Sequence, residues 1–169
     1  DWSSDVCSSD LQEIQVFTLV LRTKDLSKLI LQTIDKAIPS PILFELKYSG
    51  RTKYAASYKR PSESDKSKWV ISVHLISDWM TQNNPSVNLP TVLNMASLYE
   101  ALLTSLSPLA NRPGESLPNL LERVESLNMK SSQLSKLEKK LENEKQFNRR
   151  VELNRDLNEL KQDVEKLLR

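Results

Sequence analysis

The sequence is poor in glycine, and this scarcity removes several enzyme classes from consideration. Only two glycines, Gly50 and Gly114, occur in 169 residues, and they lie far apart in the chain. A Walker phosphate loop and a Rossmann dinucleotide motif each need several glycines within a few residues, because the backbone must approach the phosphates closely. The sequence has no such loop, and NTPase and dinucleotide-dependent functions are set aside.

Histidine and cysteine are scarcer still. His74 is the only histidine and Cys7 is the only cysteine. No second histidine, cysteine partner or serine elbow accompanies His74, so neither a catalytic triad nor a zinc site is predicted. No cofactor is predicted, and no metal is predicted except the Mg²⁺ that a weaker nuclease alternative would require.

The first eleven residues, DWSSDVCSSDL, differ in character from the rest of the chain. They have no hydrophobic periodicity, repeat the triplet SSD, and resemble translated sequencing adapter. We expect residues 1–11 to be non-native, and the native domain to start near Gln12 as an N-terminally truncated piece. Cys7 is then not part of the natural protein, which excludes thiol, disulfide and cysteine-metal chemistry. The alternative is a natural, disordered, serine-rich tail.

Long apolar runs are also missing. No stretch approaches the roughly 20 apolar residues that a membrane-spanning helix requires. The N-terminus lacks the basic segment and the apolar segment of a signal peptide. We therefore expect a soluble protein without membrane contact. Hydrophobic residues make up 38% of the chain, which is enough for a modest core.

What the sequence does contain is an alternating pattern typical of β-strands. Apolar and polar residues alternate over residues 42–48 and again over 52–60, and Ser49-Gly50 supplies a tight turn between them. We interpret this stretch as a β-hairpin. Residues 13–22 are apolar on both faces, which predicts a strand inside the sheet rather than at its edge. Residues 69–76 predict a fourth strand.

Two helices complete the predicted domain. One is expected over residues 27–38, between a capping aspartate or serine and two prolines, and the other over residues 91–106. These elements predict an α+β domain over residues 12–110, with a small, mostly antiparallel sheet covered by two helices. A linker at 111–116 and a helical tail over 117–169 follow.

The tail has the heptad spacing of a coiled coil. Its apolar residues recur every seven positions and then in alternating steps of four and three. A polar run, ENEKQFNRR, separates the two blocks, so the tail is either one long helix or two helices folded back on each other. One long helix is favoured, because neither glycine nor proline marks a turn. The seam consists of Leu120, Leu127, Leu134, Leu141, Leu153, Leu157, Leu160, Val164 and Leu167.

A seam of this length needs a surface that covers it. The tail carries twelve Lys and Arg against ten acidic residues, which is a mixed surface rather than a basic arm. Pairing with a protein partner or with a second copy would bury the leucines, whereas packing back on its own domain is the alternative. The tail therefore predicts protein–protein interaction or self-association.

One set of residues is similar to the site of a metal-dependent nuclease. In such enzymes two carboxylates hold Mg²⁺ and a lysine assists the attacking water, and Asp35 with Glu45-x-Lys47 fits this pattern. Glu45 and Lys47 would share a strand face, but Asp35 falls in a predicted helix rather than in a strand. Glu-x-Lys is also common on solvated strand faces. Nuclease activity is kept as the weaker alternative.

A basic stretch favours nucleic-acid binding as another alternative. Residues 47–68 hold seven Lys or Arg, interleaved with three tyrosines. Cations neutralise phosphates and aromatic rings stack on bases. Alternatively, the tyrosines face the core and the lysines keep the edge of the hairpin from pairing with other sheets. The candidate contacts are Arg51, Lys53, Lys59 and Arg60.

Several segments together carry a family resemblance. They are EIQVFTLVLR, IDKAIPSPILFEL, YAASYKRP followed by KWV, LYEALL before RPGESL, and EKQFNRRVELN. From about Gln12 onward the chain resembles an uncharacterised bacterial family, domain of unknown function 4391, whose members carry more sequence before the first strand. The resemblance implies no known activity. It implies a cytoplasmic bacterial protein encoded beside helicases and methyltransferases of restriction-like defence loci.

The sequence as a whole predicts a non-catalytic accessory or assembly protein that docks through its coiled-coil tail. The resemblance alone implies components of a helicase or methyltransferase system as partners. Nucleic acid is the alternative partner, through the basic hairpin.

Overall fold

The computed structural model describes residues 11–62, 69–81 and 89–169. The chain divides into two compact units, Asp1–Pro108 (unit 1) and Leu109–Arg169 (unit 2). Unit 1 contains a sheet with helices, and unit 2 contains a pair of long helices. The predicted α+β class is therefore confirmed. Most of the segment predicted to be non-native lies outside the described residues.

The sheet of unit 1 is mixed but mostly antiparallel, as predicted. Its strands run in the order β1-β2-β3-β4, and a short β5 pairs with the start of β3. β1 is parallel to β2, and the other pairings are antiparallel. The elements are β1 (Gln15–Val20), α1 (Lys28–Ala37), β2 (Ile42–Tyr48), β3 (Arg51–Pro61), β4 (Trp69–Ile76), β5 (Met80–Thr81) and α2 (Met95–Leu106).

The predicted hairpin is confirmed, and its turn has two residues. Tyr48 pairs with Arg51, so only Ser49 and Gly50 connect β2 to β3. Both have positive φ, 49° for Ser49 and 73° for Gly50. Two consecutive positive φ angles define the type I′ turn, whose twist matches that of the flanking strands. Glycine adopts this backbone without a steric penalty, which explains its place here.

The helices begin where side chains cap them. Ser27 accepts a hydrogen bond from the backbone N–H of Leu29 and starts α1. Asn94 accepts one from the N–H of Ser97, at 2.8 Å. Because a capping side chain satisfies N–H groups that have no partner within the helix, α2 begins at Met95 rather than at residue 91 as predicted.

The position of β1 contradicts the prediction from its sequence. An interior strand was expected, but β1 lies at the edge of the sheet. Val16 is 62% exposed and Val20 80% exposed, whereas Phe17 and Leu19 pack against the core. The apolar run of this strand thus has only one covered face in the described structure.

Each face of the central strand β3 is covered by a helix. On one face, Leu31 of α1 packs in a core cluster with Ile42, Phe44, Leu46 and Ala55. On the other face, Tyr99 of α2 stacks on Tyr58, with the ring centroids 6.4 Å apart. Consecutive residues of a strand point to opposite faces, so the side chains of β3 pack into a separate core on each face of the sheet. Residues 55–59 are all buried as a result.

Unit 2 is a helical hairpin made of α3 (Leu117–Asn143) and α4 (Phe147–Leu168). The helices are antiparallel, since Arg123 near the start of α3 bonds to Leu167 near the end of α4, whereas Glu138 farther along α3 pairs with Lys161 earlier in α4. The single long helix favoured by the sequence is therefore wrong. The break lies at residues 144–146, where Glu144 and Gln146 have extended backbone and neither glycine nor proline is present. None of the described helices is long and apolar enough to cross a membrane.

A buried arginine joins the start of α3 to the end of α4, at the end of the hairpin opposite the bend. Arg123 is 6% exposed, and it donates to both carboxylate oxygens of Glu115, at 2.9 and 2.7 Å. It also donates to the backbone oxygen of Ala110 at 2.6 Å and to that of Leu167 at 3.0 Å. Arg123 thus ties the segment before α3 and the last turn of α4 to α3 itself.

The type I′ turn gives a first prediction. Gly50→Ala should lower the free energy of unfolding by about 1–2 kcal/mol, the usual cost of a left-handed backbone for a residue with a Cβ. No atom lies within 4 Å of the added Cβ, so the loss would come from the backbone alone. Ser49→Asn is the matched control and should not destabilise, because asparagine tolerates this conformation. Urea denaturation measures both, and equal stability of Gly50→Ala and wild type would contradict the prediction.

Candidate functional site

A cluster of polar side chains lies inside unit 1, between α1 and the sheet. It consists of Asp35 from α1, Ser57 and Lys59 from β3, and His74 from β4. Asp35 is 1% exposed, Ser57 0%, Lys59 5% and His74 6%. Charged groups this deeply buried need partners, because removal from water is costly for a charge. We call these four residues the Asp35 cluster.

The carboxylate of Asp35 connects all the other members. Its Oδ2 accepts a hydrogen bond from Oγ of Ser57 at 2.8 Å and lies 2.6 Å from Nε2 of His74. Its Oδ1 lies 2.7 Å from Nζ of Lys59. The same Nζ donates to the backbone oxygens of Ile38 and Ser40, each at 3.0 Å. Three oxygens therefore surround the buried ammonium group.

The ionisation of Asp35 and Lys59 follows from this geometry. Burial raises the pKa of Asp35, but hydrogen bonds from His74, Lys59 and Ser57 outweigh it, so the pKa lies below its usual value. Burial lowers the pKa of Lys59, and the nearby carboxylate of Asp35 offsets this only in part. The carboxylate is thus held in its charged form by its neighbours.

Local sequence places each member of the cluster. Leu31, Asp35 and Ile38 follow helical spacing, so the aspartate sits within the apolar stripe of α1. Ser57 pairs directly with His74, whereas Lys59 pairs with Ile71, so β4 carries one extra residue between these pairs. Such a bulge re-aims the side chains around it. Ser72, within the bulge, accepts the backbone N–H of Tyr58 at 2.9 Å.

The cluster joins secondary-structure elements rather than opening to solvent. With at most 6% exposure of any member, it offers no surface to a substrate in this conformation. The hydroxyl of Tyr99 in α2 donates to the backbone oxygen of Ser57, so the second helix reaches the same strand position from the other face. The arrangement fits a structural role, in which these contacts fix the positions of α1 and α2 on the sheet.

The three residues of the nuclease alternative are not brought together. His74, which bonds to Asp35, contacts the ring of Phe44 at a centroid distance of 6.3 Å. Glu45 follows Phe44 in the strand and therefore points to the opposite face of the sheet. There it pairs with Lys47 at 3.0 Å and accepts a hydrogen bond from Thr18 at 2.7 Å. Asp35 and the Glu45–Lys47 pair cannot share one metal ion in this arrangement.

Glu45 forms an ordinary ion pair on a solvent-facing side of the strand. The hydrogen bond from Thr18, and then the contact with Lys47, lower the pKa of Glu45. Within the ranges that the structure describes, no group of three or more His, Cys, Asp or Glu side chains is placed to hold a metal ion.

The candidate nucleic-acid contacts separate into two groups. The side chain of Lys59 has no exposed surface and is paired with Asp35, so it is not placed to contact a nucleic acid as predicted. Arg60 is half-buried and already engaged in a contact. Arg51 and Lys53 lie at the start of β3, near the hairpin turn, where Arg51 is exposed and Lys53 half-exposed. Only these two remain available to a ligand.

Sequence reasoning missed two residues beside this turn, Lys24 and Trp79. A cleft of about 270 Å³ is lined by Lys24, Tyr48, Ser49, Arg51 and Trp79. The signal for Tyr48 and Arg51 was present in the basic hairpin. Lys24 and Trp79 come from other connections of the fold, and nothing in the local sequence links them to the hairpin.

None of the nine seam residues of the tail is fully exposed in the hairpin. Leu120 and Leu157 are buried, and the remaining seven are half-buried. Ion pairs flank the seam, from Lys130 to Asp163 at 2.6 Å and from Lys161 to Glu138 at 3.6 Å. The two leucine blocks thus cover each other in part, which a single long helix could not achieve.

The Asp35 cluster gives a second prediction. Asp35→Ala removes the carboxylate that faces Lys59 and His74, and breaking a buried pair in this way costs about 3–5 kcal/mol. Glu45→Ala is the matched control, because it removes a carboxylate from an open ion pair and should cost at most about 1 kcal/mol. Chemical denaturation of the full chain measures both. Equal losses would show that the Asp35 cluster contributes no more than a surface ion pair.

The same carboxylate predicts a pH dependence. Because the pKa of folded Asp35 lies below the ordinary 3.8, the unfolded chain binds this proton more tightly. Its contribution to stability is complete above about pH 4 and is lost as the pH falls through the folded pKa. Wild type should therefore lose stability more steeply than Asp35→Asn on acidification below about pH 4. Identical slopes for the two proteins would refute this assignment.

Comparison with known proteins places the chain in a family but not beside any characterised protein. The model of a family described as Domain of unknown function (DUF4391) matches residues 6–164. Searches among curated proteins and among solved structures found no significant match.

Proposed function

The chain belongs to the family described as Domain of unknown function (DUF4391), and we propose that it is a non-catalytic accessory protein that assembles through the helical hairpin of unit 2. We propose that a second copy of this chain covers the part of the leucine seam that the hairpin leaves exposed. The observation that carries the proposal is the incomplete burial of the leucine seam.

Two helices alone leave part of a heptad seam in contact with water. Seven of the nine seam residues are only half-buried in the hairpin. Each Å² of apolar surface removed from water stabilises by about 25 cal/mol. A second pair of helices laid across the seam would complete a four-helix core, the usual way in which such hairpins bury their apolar faces.

The size of the hairpin suits a stable dimer. α3 has 27 residues and is about 40 Å long at roughly 1.5 Å per residue. Two helices side by side present a face about 20 Å wide. Two such faces together bury roughly 1,500 Å², above the approximately 1,000 Å² that a specific interface needs. A self-complementary face of this kind favours a two-fold symmetric pair.

Charge along the hairpin favours one orientation of the two copies. The half near the bend, residues 131–156, carries seven Lys and Arg against five acidic residues. The open half, residues 117–130 and 157–169, carries five of each. An antiparallel pair sets the basic bend of one copy beside the neutral end of the other, and so avoids like-charge contact.

Sedimentation of the full chain tests this proposal. Wild type should have twice the 19.4 kDa mass of one chain. Leu134→Asp combined with Leu160→Asp places charges in the seam and should give the mass of a single chain. Ser132→Asp combined with Asn158→Asp adds the same charge at exposed positions and should remain dimeric. The melting transition of unit 1 should be the same in all three proteins.

Several results would overturn the proposal. A monomeric wild type at micromolar concentration, or equal dissociation of the control, would exclude self-assembly through the seam. A helicase or methyltransferase component bound to a monomeric chain would replace the second copy as occupant. Mg²⁺-dependent cleavage of DNA by wild type, lost in Glu45→Ala, would overturn the non-catalytic role and restore the nuclease alternative.

A further inference from the structure

Three connections of unit 1 meet at one end of the sheet. β1 and β2 are parallel, so both end at the same edge. β3 starts there, after the Ser49-Gly50 turn, and β4 ends there before β5 pairs with Arg51 and Thr52. The backbone N–H of Leu21 donates to the oxygen of Lys47 at 2.8 Å, which holds the exit of β1 beside the turn. Residues from three separate segments are thus brought to one place.

The cleft at this end combines cations with aromatic rings. Lys24 and Arg51 line it together with Tyr48, Ser49 and Trp79. The rings of Tyr48 and Trp79 contact each other at a centroid distance of 6.2 Å. Nζ of Lys53 lies 4.6 Å from the centroid of the Trp79 ring. These contacts fix the indole in place, so a ligand would lose little affinity to ordering of the ring.

The cations that line the cleft have no acidic partner in the described structure. Lys24 and Arg51 are both exposed, and no described carboxylate lies within 4 Å of either. Lys47, by contrast, is paired with Glu45. The acidic residues next in sequence are Asp25 and Asp78, both exposed, against a local set of cations formed by Arg22, Lys24, Arg51 and Lys53. The cleft therefore has an excess of positive charge for an anionic ligand.

We propose that this cleft binds single-stranded nucleic acid, with Lys24 and Arg51 at backbone phosphates and Trp79 beside a base. Unpaired cations attract phosphates, and accessible aromatic rings stack on bases that are not in a duplex. A volume of about 270 Å³ suits one nucleotide of a strand rather than a larger cofactor. This site lies in unit 1 and does not depend on assembly through unit 2.

Fluorescence anisotropy with a labelled oligodeoxythymidylate of about 20 nucleotides tests the site. Lys24→Gln combined with Arg51→Gln should weaken binding at least about tenfold and lower the salt slope by about 1.4, for two lost phosphate contacts. Lys28→Gln combined with Lys36→Gln is the matched control, since it removes the same charge from exposed positions on α1. It should change the affinity less than about twofold.

The aromatic part of the proposal has its own test. Trp79→Leu should weaken binding of the oligonucleotide about tenfold and remove its advantage over a duplex of the same length. Lys24→Arg with Arg51→Lys keeps both charges and should retain most of the affinity. Thermal melting of each variant reports whether unit 1 is folded. If Trp79→Leu does not fold, the charge variants and their control decide.

Four results would overturn the proposal. They are the absence of binding at low salt, equal losses in the Lys28/Lys36 control, and binding of duplex as tight as that of single strand with no effect of Trp79→Leu. The fourth is competition by a mononucleotide or inorganic phosphate as strong as that by the unlabelled oligonucleotide, which would indicate a small-anion site instead.

Discussion

The carboxylate of Asp35 is the contact on which the body of this protein depends. It links α1 to β3 through Ser57 and Lys59 and to β4 through His74. The backbone oxygen of Ser57 accepts a hydrogen bond from the hydroxyl of Tyr99, which belongs to α2 on the other face of the sheet. A buried ion pair contributes little net stability, but a mismatched one is costly. The cluster therefore penalises every placement of α1 except the one that satisfies all of its members.

The sequence predicts most of this fold because strand and helix periodicities are local. The β2–β3 hairpin, its turn and both helices of unit 1 follow from alternation, from positive-φ preference and from capping. The burial of Ser57 and Lys59 does not follow, because alternation in β3 assigns them to the wet face. Their partner lies more than 20 residues away in a helix. The available signal was an aspartate inside the apolar stripe of α1, together with a lone histidine in a strand.

The tail shows a different limit of sequence reasoning. A heptad seam looks the same whether its partner is another chain or the following helix, so Leu134 and Leu160 are equally expected in both arrangements. The break at residues 144–146 contains no glycine or proline and carries no local marker. The two arrangements differ in the apolar surface that is buried when one leucine block packs against the other. The cleft beside Trp79 escaped prediction for a related reason, since Lys24, Arg51 and Trp79 meet only through the topology of the sheet.

Arg123 strengthens the end of the helical hairpin at which the chain enters α3 and leaves α4. Hairpins commonly fray from their free ends, but here the free end is held by hydrogen bonds from one guanidinium to Glu115, Ala110 and Leu167. The bend is less secured, because Gln146, the N-cap residue of α4, makes no capping hydrogen bond with its side chain. We therefore expect local opening to spread from the bend, and amide protons near residue 147 to exchange with solvent sooner than those near residue 167.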